Sequence, residues 1–280
     1  ITDDGRTVEA EPFDALPLDY YAPGAGFLYM RSSWEEGATE MMLQLGVGDK
    51  GSHYHQDTGS FQMLRAGRWV SRESTGYGTQ FAGCKAQEAR AHNTVLFNGR
   101  GQANAYPDGK PEVIALQVTR DYVHAAVDLT KAYRASASPR KDRDDNASCA
   151  KVVREFVYLK PDVLIVFDRL LSTTPDVEKT FVMHFPLEPK FQNIETFGDI
   201  FSCENGGSQC VFKMVYPKEV SYKVINEGEV EGKKASDSFY QWRLETSHKG
   251  TQETYFLAVI AALERFDLEP RCELVEKEDS

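Results

Sequence analysis

The chain has 280 residues, of which 41% are hydrophobic and 27% charged, and its formal net charge at pH 7 is −11. This composition is typical of globular proteins, and no apolar run approaches the roughly 20 residues of a membrane helix, so we expect no membrane partner. The negative charge argues against nucleic acid as a partner, because binding to duplexes depends on Lys and Arg side chains that neutralise phosphates.

Predicted strands follow one another along most of the chain. They are short runs rich in Val, Ile, Phe and Tyr, bounded by Gly, Pro, Asn or Asp. In chain order they cover residues 26–30, 59–65, 94–97, 112–118, 122–128, 152–159, 163–170, 180–185, 209–215, 221–224, 238–246 and 253–263. The best helix candidate is short and covers residues 85–90. The pattern predicts an all-β fold, a large antiparallel two-sheet β-sandwich with few short helices.

Two turn signals join neighbouring strands. Asn98-Gly99 follows a predicted strand and is the strongest hairpin signal in the chain. Lys160-Pro161-Asp162 predicts a turn between the two strands that flank it. We assign residues 1–280 to one β-sandwich domain with an acidic tail at residues 273–280.

Five cysteines are present, and none has the spacing of a zinc ribbon or a CxxC motif. Cys203 and Cys210 flank the turn sequence ENGGSQ, so they could face each other across a hairpin. A disulfide between them and a pair of small apolar strand residues are both open interpretations, because the bond also needs a suitable cross-strand distance.

The segment at 51–57, GSHYHQD, carries the most informative polar pattern. His53, His55 and Asp57 stand at i, i+2 and i+4, which places them on one face of an extended segment. Together with Glu73 and His92 further along the chain, His55 offers two imidazoles and one carboxylate, a set that suits Zn²⁺. Histidines that are merely satisfied inside the protein remain the alternative interpretation.

Other polar and aromatic residues are weaker candidates. Trp34 could stack on a sugar ring while Arg31 binds a carboxylate, although a packed aromatic near the end of a strand is the alternative. Tyr54 lies inside the histidine segment and is a further substrate candidate. His184 has apolar neighbours, which indicate a buried structural histidine.

Three motifs in this order resemble those of the heparinase II/III-like superfamily of polysaccharide lyases, which includes heparin, heparan and alginate lyases. They are GSHYHQDTGSFQ at 51–62, GRW at 67–69 leading to Glu73, and AHNTV at 91–95 followed by Asn98-Gly99. Members of the family similarly carry His-x-His-x-Asp-x-Gly-Ser-Phe, then an acidic residue after a short strand, then His-Asn-Thr.

The resemblance implies a role for each matching residue. His53 looks like the active-site histidine that faces the substrate uronate. His55, Glu73 and His92 look like the zinc ligands, although the family more usually has Asp at the position of Glu73. Asp57 would orient a histidine from outside the ligand set. The implied reaction is β-elimination from an acidic polysaccharide of the alginate or glycosaminoglycan type.

The resemblance also implies a larger architecture. In the family, a helical toroid domain that precedes the sandwich supplies the catalytic tyrosine, so we expect Ile1 to begin partway through a longer protein and the chain alone to be inactive. It further implies a periplasmic or secreted bacterial protein. Two alternatives stay open, a non-catalytic carbohydrate-binding or structural sandwich with a structural zinc and a metal-dependent hydrolase, and the oligomeric state is left undetermined.

Overall fold

The computed structural model describes residues 12–46, 55–74, 80–81, 84–103, 110–134, 146–195, 198–230, 233–234 and 241–264. The strands are β1 (Asp19–Ala22), β2 (Phe27–Arg31), β3 (Thr39–Gln44), β4 (Phe61–Arg65), β5 (Arg68–Ser71), β6 (Gln80–Phe81), β7 (Cys84–Lys85), β8 (Val95–Phe97), β9 (Glu112–Val118), β10 (Tyr122–Asp128), β11 (Cys149–Leu159), β12 (Val163–Ser172), β13 (Lys179–Phe185), β14 (Lys190–Ile194), β15 (Gly198–Asn205), β16 (Ser208–Tyr216), β17 (Ser221–Asn226), β18 (Glu229–Val230), β19 (Lys233–Lys234), β20 (Trp242–His248) and β21 (Glu253–Glu264).

Among the residues that the structure describes, helical structure is limited to three short elements. They are the 3₁₀ helices Phe13–Ala15 and Ala89–Ala91 and the α-helix α1 at Thr130–Tyr133. No helix in the described part of the chain is long and apolar enough to cross a bilayer. The predicted all-β class is therefore confirmed.

Three antiparallel sheets build the fold. The first has five strands in the order β1-β2-β3-β4-β5, the second has eight in the order β14-β15-β16-β21-β12-β11-β10-β9, and the third has four in the order β17-β20-β13-β8. Two further two-stranded sheets, β18-β19 and β6-β7, complete the described structure.

One hydrophobic core joins the three sheets. Phe61 of β4 packs edge-on against Phe156 of β11, with ring centroids 6.4 Å apart. Phe181 of β13 packs in the same way against Phe256 of β21, at 6.3 Å. Since β11 and β21 both belong to the eight-stranded sheet, that sheet forms one layer and the other two sheets share the opposite layer. The predicted sandwich is confirmed, with its second layer divided between two sheets.

A long hairpin lies at the centre of the eight-stranded sheet. The predicted turn at residues 160–162 joins β11 to β12, and Leu159 faces Val163 across it. Further along the same ladder Arg154 faces Asp168. Burial alternates along most of β12, which places every second side chain in the core.

The predicted helix at residues 85–90 is wrong. The chain leaves β7 at Lys85, makes turns, and forms only the 3₁₀ helix Ala89–Ala91. A segment this short has too few internal hydrogen bonds to sustain an α-helix without a long amphipathic face.

Five strands of four or more residues escaped prediction, namely β1, β3, β5, β14 and β15, as did the two-residue strands β6, β7, β18 and β19. The sequence TEMMLQ of β3 shows the reason, because Glu, Met and Gln favour strands weakly on their own. This segment becomes a strand because it is hydrogen-bonded to a strand on each side, β2 and β4.

The turn at Asn98-Gly99 forms as predicted, with positive φ values of 50° and 71°. Phe97 and Arg100 exchange backbone hydrogen bonds of 2.8 and 3.0 Å across it. The pairing stops at this single bridge, because the partner of β8 is β13 rather than the returning chain.

Cys203 and Cys210 are cross-strand partners on β15 and β16, and both are free thiols. Of the two interpretations open from the sequence, the structure therefore has the pair of buried strand residues. Burial raises the pKa of Cys203 to about 11 and the pKa of Cys210 well above its ordinary value. The predicted acidic tail at residues 273–280 lies outside the described residues.

Candidate metal centre

Three separate segments carry the side chains of the predicted metal site. His55 lies in the connection from β3 to β4, Glu73 follows β5, and His92 stands between the second 3₁₀ helix and β8. None of these positions is inside a strand, so each side chain depends on how its connecting segment is held.

Hydrogen bonds join these segments to one another. Ser74 donates its backbone N–H to the carbonyl of Ala91 at 2.9 Å, which ties the Glu73 segment to the His92 segment. The amide oxygen of Gln56 accepts a hydrogen bond from the backbone N–H of Ala89 at 2.9 Å, which ties the His55 segment to the same place.

His55, Glu73 and His92 offer donor atoms that all lie within 4.8 Å of one another, and together they are called the candidate metal cluster. The rings of His55 and His92 have centroids 5.1 Å apart. The Nδ1 atom of His92 is hydrogen-bonded to Oε2 of Glu73 at 2.8 Å. Among the described residues, Nε2 of His92 has no hydrogen-bond partner, although the side chain is completely buried.

These observations fit a zinc ion. Two imidazoles and one carboxylate are the donor set of zinc sites that leave a fourth position open. Tetrahedral bonds of about 2.0–2.2 Å separate donor atoms by roughly 3.4 Å, so small side-chain movements would suffice for coordination. A buried, unpartnered ring nitrogen is costly unless another group satisfies it, and a cation would do so.

The charges of the cluster are strongly coupled. Burial lowers the pKa of His55, and the neighbouring His92 lowers it further against the opposing effect of Asp57. Burial also disfavours charge on His92, but the Glu73 carboxylate beside it outweighs this effect and raises the pKa of His92. Burial likewise opposes ionisation of Glu73, yet His92 holds the pKa of that carboxyl below its ordinary value. Because an imidazole must be neutral to bind a metal, a cation and a proton would compete for His92.

A second carboxylate lies behind the cluster. Glu227 is completely buried and accepts hydrogen bonds from the Ser74 hydroxyl and the Arg243 guanidinium. Nε2 of His184 is 3.5 Å from the same carboxylate. Burial opposes ionisation of Glu227, but His184, Arg243 and Ser74 together hold its pKa below the ordinary value. Because Ser74 directly follows Glu73, its hydrogen bond to Glu227 holds the Glu73 segment in place.

Asn93 holds the residue that follows His92. Its side-chain N–H groups donate to the carbonyl of Phe61 at 2.7 Å and to the hydroxyl of Ser71 at 2.8 Å. Its side-chain oxygen accepts hydrogen bonds from the backbone and the ring of His184, at 2.7 and 3.1 Å. One buried amide thus connects the His92 segment to β4, β5 and β13.

The model of the family described as heparinase II/III-like, C-terminal, matches residues 17–271. The chain belongs to this family. The resemblance stated from the sequence motifs is confirmed. A comparison with curated proteins found no match.

Solved structures with the same fold include known members of the heparinase group. A heparinase III, the BT4657 gene product, is 15% identical and superposes with a TM-score of 0.67 over 88% of this chain and 36% of its own. The heparan sulfate lyase HepC from Pedobacter heparinus is 14% identical, with a TM-score of 0.68 over 95% and 39%. At such low identity the likeness shows the fold alone, and this chain spans less than two fifths of the length of either relative.

The structure brings together the three residues that the family motifs point to as ligands. Asp57 lies near enough to His55 and His92 for its charge to favour the protonated form of each, which raises the pKa of His92 and opposes the lowering of the pKa of His55. Its role as an orienting carboxylate outside the ligand set stays a prediction. His53 and Tyr54, predicted to face the substrate, lie outside the described residues.

Arg31 and Trp34 are not brought to the candidate metal cluster. They line a separate open cavity of about 410 Å³ on the outer face of the five-stranded sheet. The guanidinium of Arg31 is 4.3 Å from the centre of the Trp34 ring and 3.4 Å from the Glu40 carboxylate. Phe13 also stacks on Trp34, at 5.6 Å between centroids. The ring therefore has partners within the chain, as the packing alternative predicts.

The sequence analysis gave no role to Asn93, Glu227 or Arg154. Nothing local marks Glu227, which follows β17 in a turn. Arg154 did have a signal, because it and Asp168 are charged residues in apolar strands at seven positions before and after Pro161. A tight turn at Pro161 places such residues opposite each other.

Proposed function

We propose that this domain is the β-sandwich part of a polysaccharide lyase that cleaves uronate-containing acidic polysaccharide by β-elimination, with one Zn²⁺ bound by His55, Glu73 and His92. The observation that carries the proposal is the convergence of those three side chains, whose donor atoms lie within 4.8 Å of one another. Membership of the heparinase II/III-like family supports the reaction class.

In β-elimination a base removes the proton from C5 of the uronate. The electrons of that C–H bond form the C4–C5 double bond, the C4–O bond breaks, and an acid protonates the departing oxygen. The intermediate gains negative charge next to a carboxylate, so the site has to neutralise that carboxylate. His53 suits this role, because its ordinary pKa of about 6.5 lets it donate a hydrogen bond or carry charge near neutrality.

When bound, the zinc ion supplies a positive charge and holds the segments that bear its ligands. His53 precedes His55 by two residues, so ordering the side chain of His55 confines His53 to within roughly 7 Å along the chain. Asp57 would orient the imidazoles from outside the ligand set. In this proposal His53 faces the substrate, His55 binds the metal and Asp57 orients the imidazoles.

The proposal includes partners outside this chain. Its net charge of −11 repels an acidic polymer, so a basic groove or a neighbouring domain has to provide the positive charge. We propose an N-terminal helical toroid of the same protein as that neighbour and as the source of the catalytic tyrosine. The polymers concerned are extracellular, which agrees with a periplasmic or secreted bacterial protein.

The metal part of the proposal is tested by zinc content. The intact protein should bind one zinc per chain, and His55→Ala and His92→Ala should each lose most of it. His124→Ala is the matched control, because His124 also pairs with a carboxylate, Glu155 at 3.2 Å, but lies away from the cluster. A wild-type protein without zinc, or full zinc in both cluster variants, would overturn the site.

The chemical part is tested on alginate and heparan sulfate with the intact protein. We expect the ultraviolet absorbance of an unsaturated uronate to appear, and His53→Ala to abolish it while zinc stays bound. New reducing ends without that absorbance would instead show a metal-dependent hydrolase. Polysaccharide binding without any cleavage would show a carbohydrate-binding module.

A further inference from the structure

A buried ion pair lies beneath the candidate metal cluster. Arg154 of β11 and Asp168 of β12 are both fully inaccessible to solvent. The guanidinium donates two parallel hydrogen bonds to the carboxylate, from Nε to Oδ1 at 2.6 Å and from Nη2 to Oδ2 at 2.8 Å. This bidentate geometry fixes the plane of the guanidinium and leaves Nη1 to reach elsewhere.

The remaining arm of Arg154 binds two backbone carbonyls on two different segments. Nη1 donates to the carbonyl of Gly59 at 2.7 Å and to the carbonyl of Asn93 at 2.7 Å. Gly59 lies near the end of the connecting segment that carries His55, and Asn93 directly follows His92. The segments that carry His55 and His92 are called the histidine segments. One side chain of the eight-stranded layer therefore binds both histidine segments of the opposite layer.

The backbone at Gly59 is shaped for this contact. Its φ is +80°, in the region that glycine adopts without strain. A Cβ atom there would lie 2.6 Å from Cδ1 of Leu129 and 3.5 Å from Cδ of Arg154. Only a residue without a side chain lets this carbonyl approach the guanidinium in the present packing.

Stability alone does not account for an ion pair at this depth. Removing two charges from water is costly, and well-packed apolar residues in place of a buried pair are often as stable or more stable. The distinctive property of Arg154 is its number of donors, since four of its five N–H groups are used on four oxygen atoms, two from the carboxylate and two from the carbonyls. An apolar residue has no donor and a lysine has three, so neither could bond all four oxygen atoms.

We propose that Arg154, oriented by Asp168, is a positioning residue that sets the separation of His55 and His92 and thereby the affinity of the cluster for its cation. The inference rests on the proposed zinc site. Under this proposal the hydrogen bonds of Arg154 align the two histidine segments before any metal is bound. Groups that orient metal ligands from outside the ligand set commonly change affinity by 10–100-fold when removed.

The decisive variant replaces the pair by apolar residues, Arg154→Met with Asp168→Leu. We expect the metal-free protein to fold but to lose stability, because the carbonyls of Gly59 and Asn93 no longer have their donor, and we expect the zinc dissociation constant of the folded protein to rise about tenfold or more. Zinc affinity would be measured in the intact protein by competition with a chromophoric chelator. Amide hydrogen exchange should become faster at residues 55–60 and 89–94 and stay unchanged in β12.

The matched control removes another ion pair, Asp19→Leu with Lys160→Met. That pair is also short, at 2.6 Å, and its side chains are only 8% and 9% exposed, but it joins β1 to the turn after β11. Its loss should leave zinc affinity within about twofold of the wild type, as expected for a change that touches none of the positioned segments.

A second variant, Arg154→Lys, retains the charge and covers the case in which the double variant does not fold. It should also weaken zinc binding about tenfold, because the ammonium cannot serve both carbonyls and the carboxylate. Folded variants that bind zinc as tightly as the wild type would overturn the positioning role. A wild-type protein that binds no zinc would instead overturn the cation site on which the inference rests.

Discussion

Replacing Asn93 by alanine should be among the most destabilising changes in the described part of the chain that remove only a few atoms. The side chain is fully buried and makes four hydrogen bonds. Alanine would leave two backbone groups without their present partners, the carbonyl of Phe61 and the N–H of His184. It would also leave the hydroxyl of Ser71 and a ring nitrogen of His184 short of one partner each.

The expected cost follows from the two backbone groups. A buried donor or acceptor that loses its partner costs about 1–3 kcal/mol, so two such groups cost roughly 2–6 kcal/mol. Native proteins have unfolding free energies of about 5–15 kcal/mol, so this loss is a large fraction of the total. Asn93→Asp should cost at least as much, because it keeps the shape but turns a carboxylate oxygen toward the Phe61 carbonyl.

The assay is equilibrium urea unfolding followed by tryptophan fluorescence and circular dichroism. With a denaturant slope of about 3 kcal/mol/M, the midpoint should fall by on the order of 1–2 M. The control is Asn193→Ala, an exposed asparagine with one hydrogen bond, to Asp199 at 2.6 Å, and its cost should stay within about 0.5 kcal/mol. If both Asn93 variants unfold within about 0.5 kcal/mol of the wild type, the buried network does not have the stabilising role described above.

Three further predictions follow from the same structure. Gly59→Ala should lower the free energy of unfolding in urea by roughly 2–4 kcal/mol, because of its positive φ and the clash of the new Cβ with Leu129. The control Gly67→Ala has a similar φ but open space around it, so it should lower that free energy by only about 1–2 kcal/mol. Cys203 and Cys210 should resist alkylation of the native protein at pH 8, because a pKa of about 11 leaves roughly one in a thousand Cys203 thiols ionised and burial also raises the pKa of Cys210 well above its ordinary value. Early labelling of either residue in peptide mass spectrometry would contradict this. Zinc at 100 times its dissociation constant should raise the unfolding free energy by about 2.7 kcal/mol, and a chelator or Glu73→Gln should remove most of that gain in a thermal melt.

Local patterns in the sequence predicted much of the sandwich. The strands at Glu112–Val118 and Tyr122–Asp128 have the same bounds in the structure as in the sequence analysis. Their runs of Val, Ile, Leu and Tyr carry strand preference, which was enough to predict even β9, an edge strand whose Ile114, Leu116 and Val118 are exposed. The turn at residues 160–162 was also predictable from local sequence, because proline and aspartate favour turns.

The strands that were missed, such as β3 and β14, owe their conformation to partners rather than to their own residues. β14 is an edge strand of the eight-stranded sheet, and its sequence KFQNI has only two residues that favour strands, Phe191 and Ile194. Strand preference depends on neighbours across the sheet, which a single sequence does not list.

The candidate metal cluster likewise depends partly on local sequence and partly on tertiary contacts. The family motifs indicated that His55, Glu73 and His92 belong together. The contact of Glu227 with Ser74, 153 positions earlier, and the contacts of Arg154 with the two histidine segments exist only in the folded chain. Side-chain chemistry and strand periodicity are local properties of the chain, so they can be read from its sequence. The distances among these groups are set when the two layers of sheet pack on one core, because each polar group buried there needs a hydrogen-bond partner.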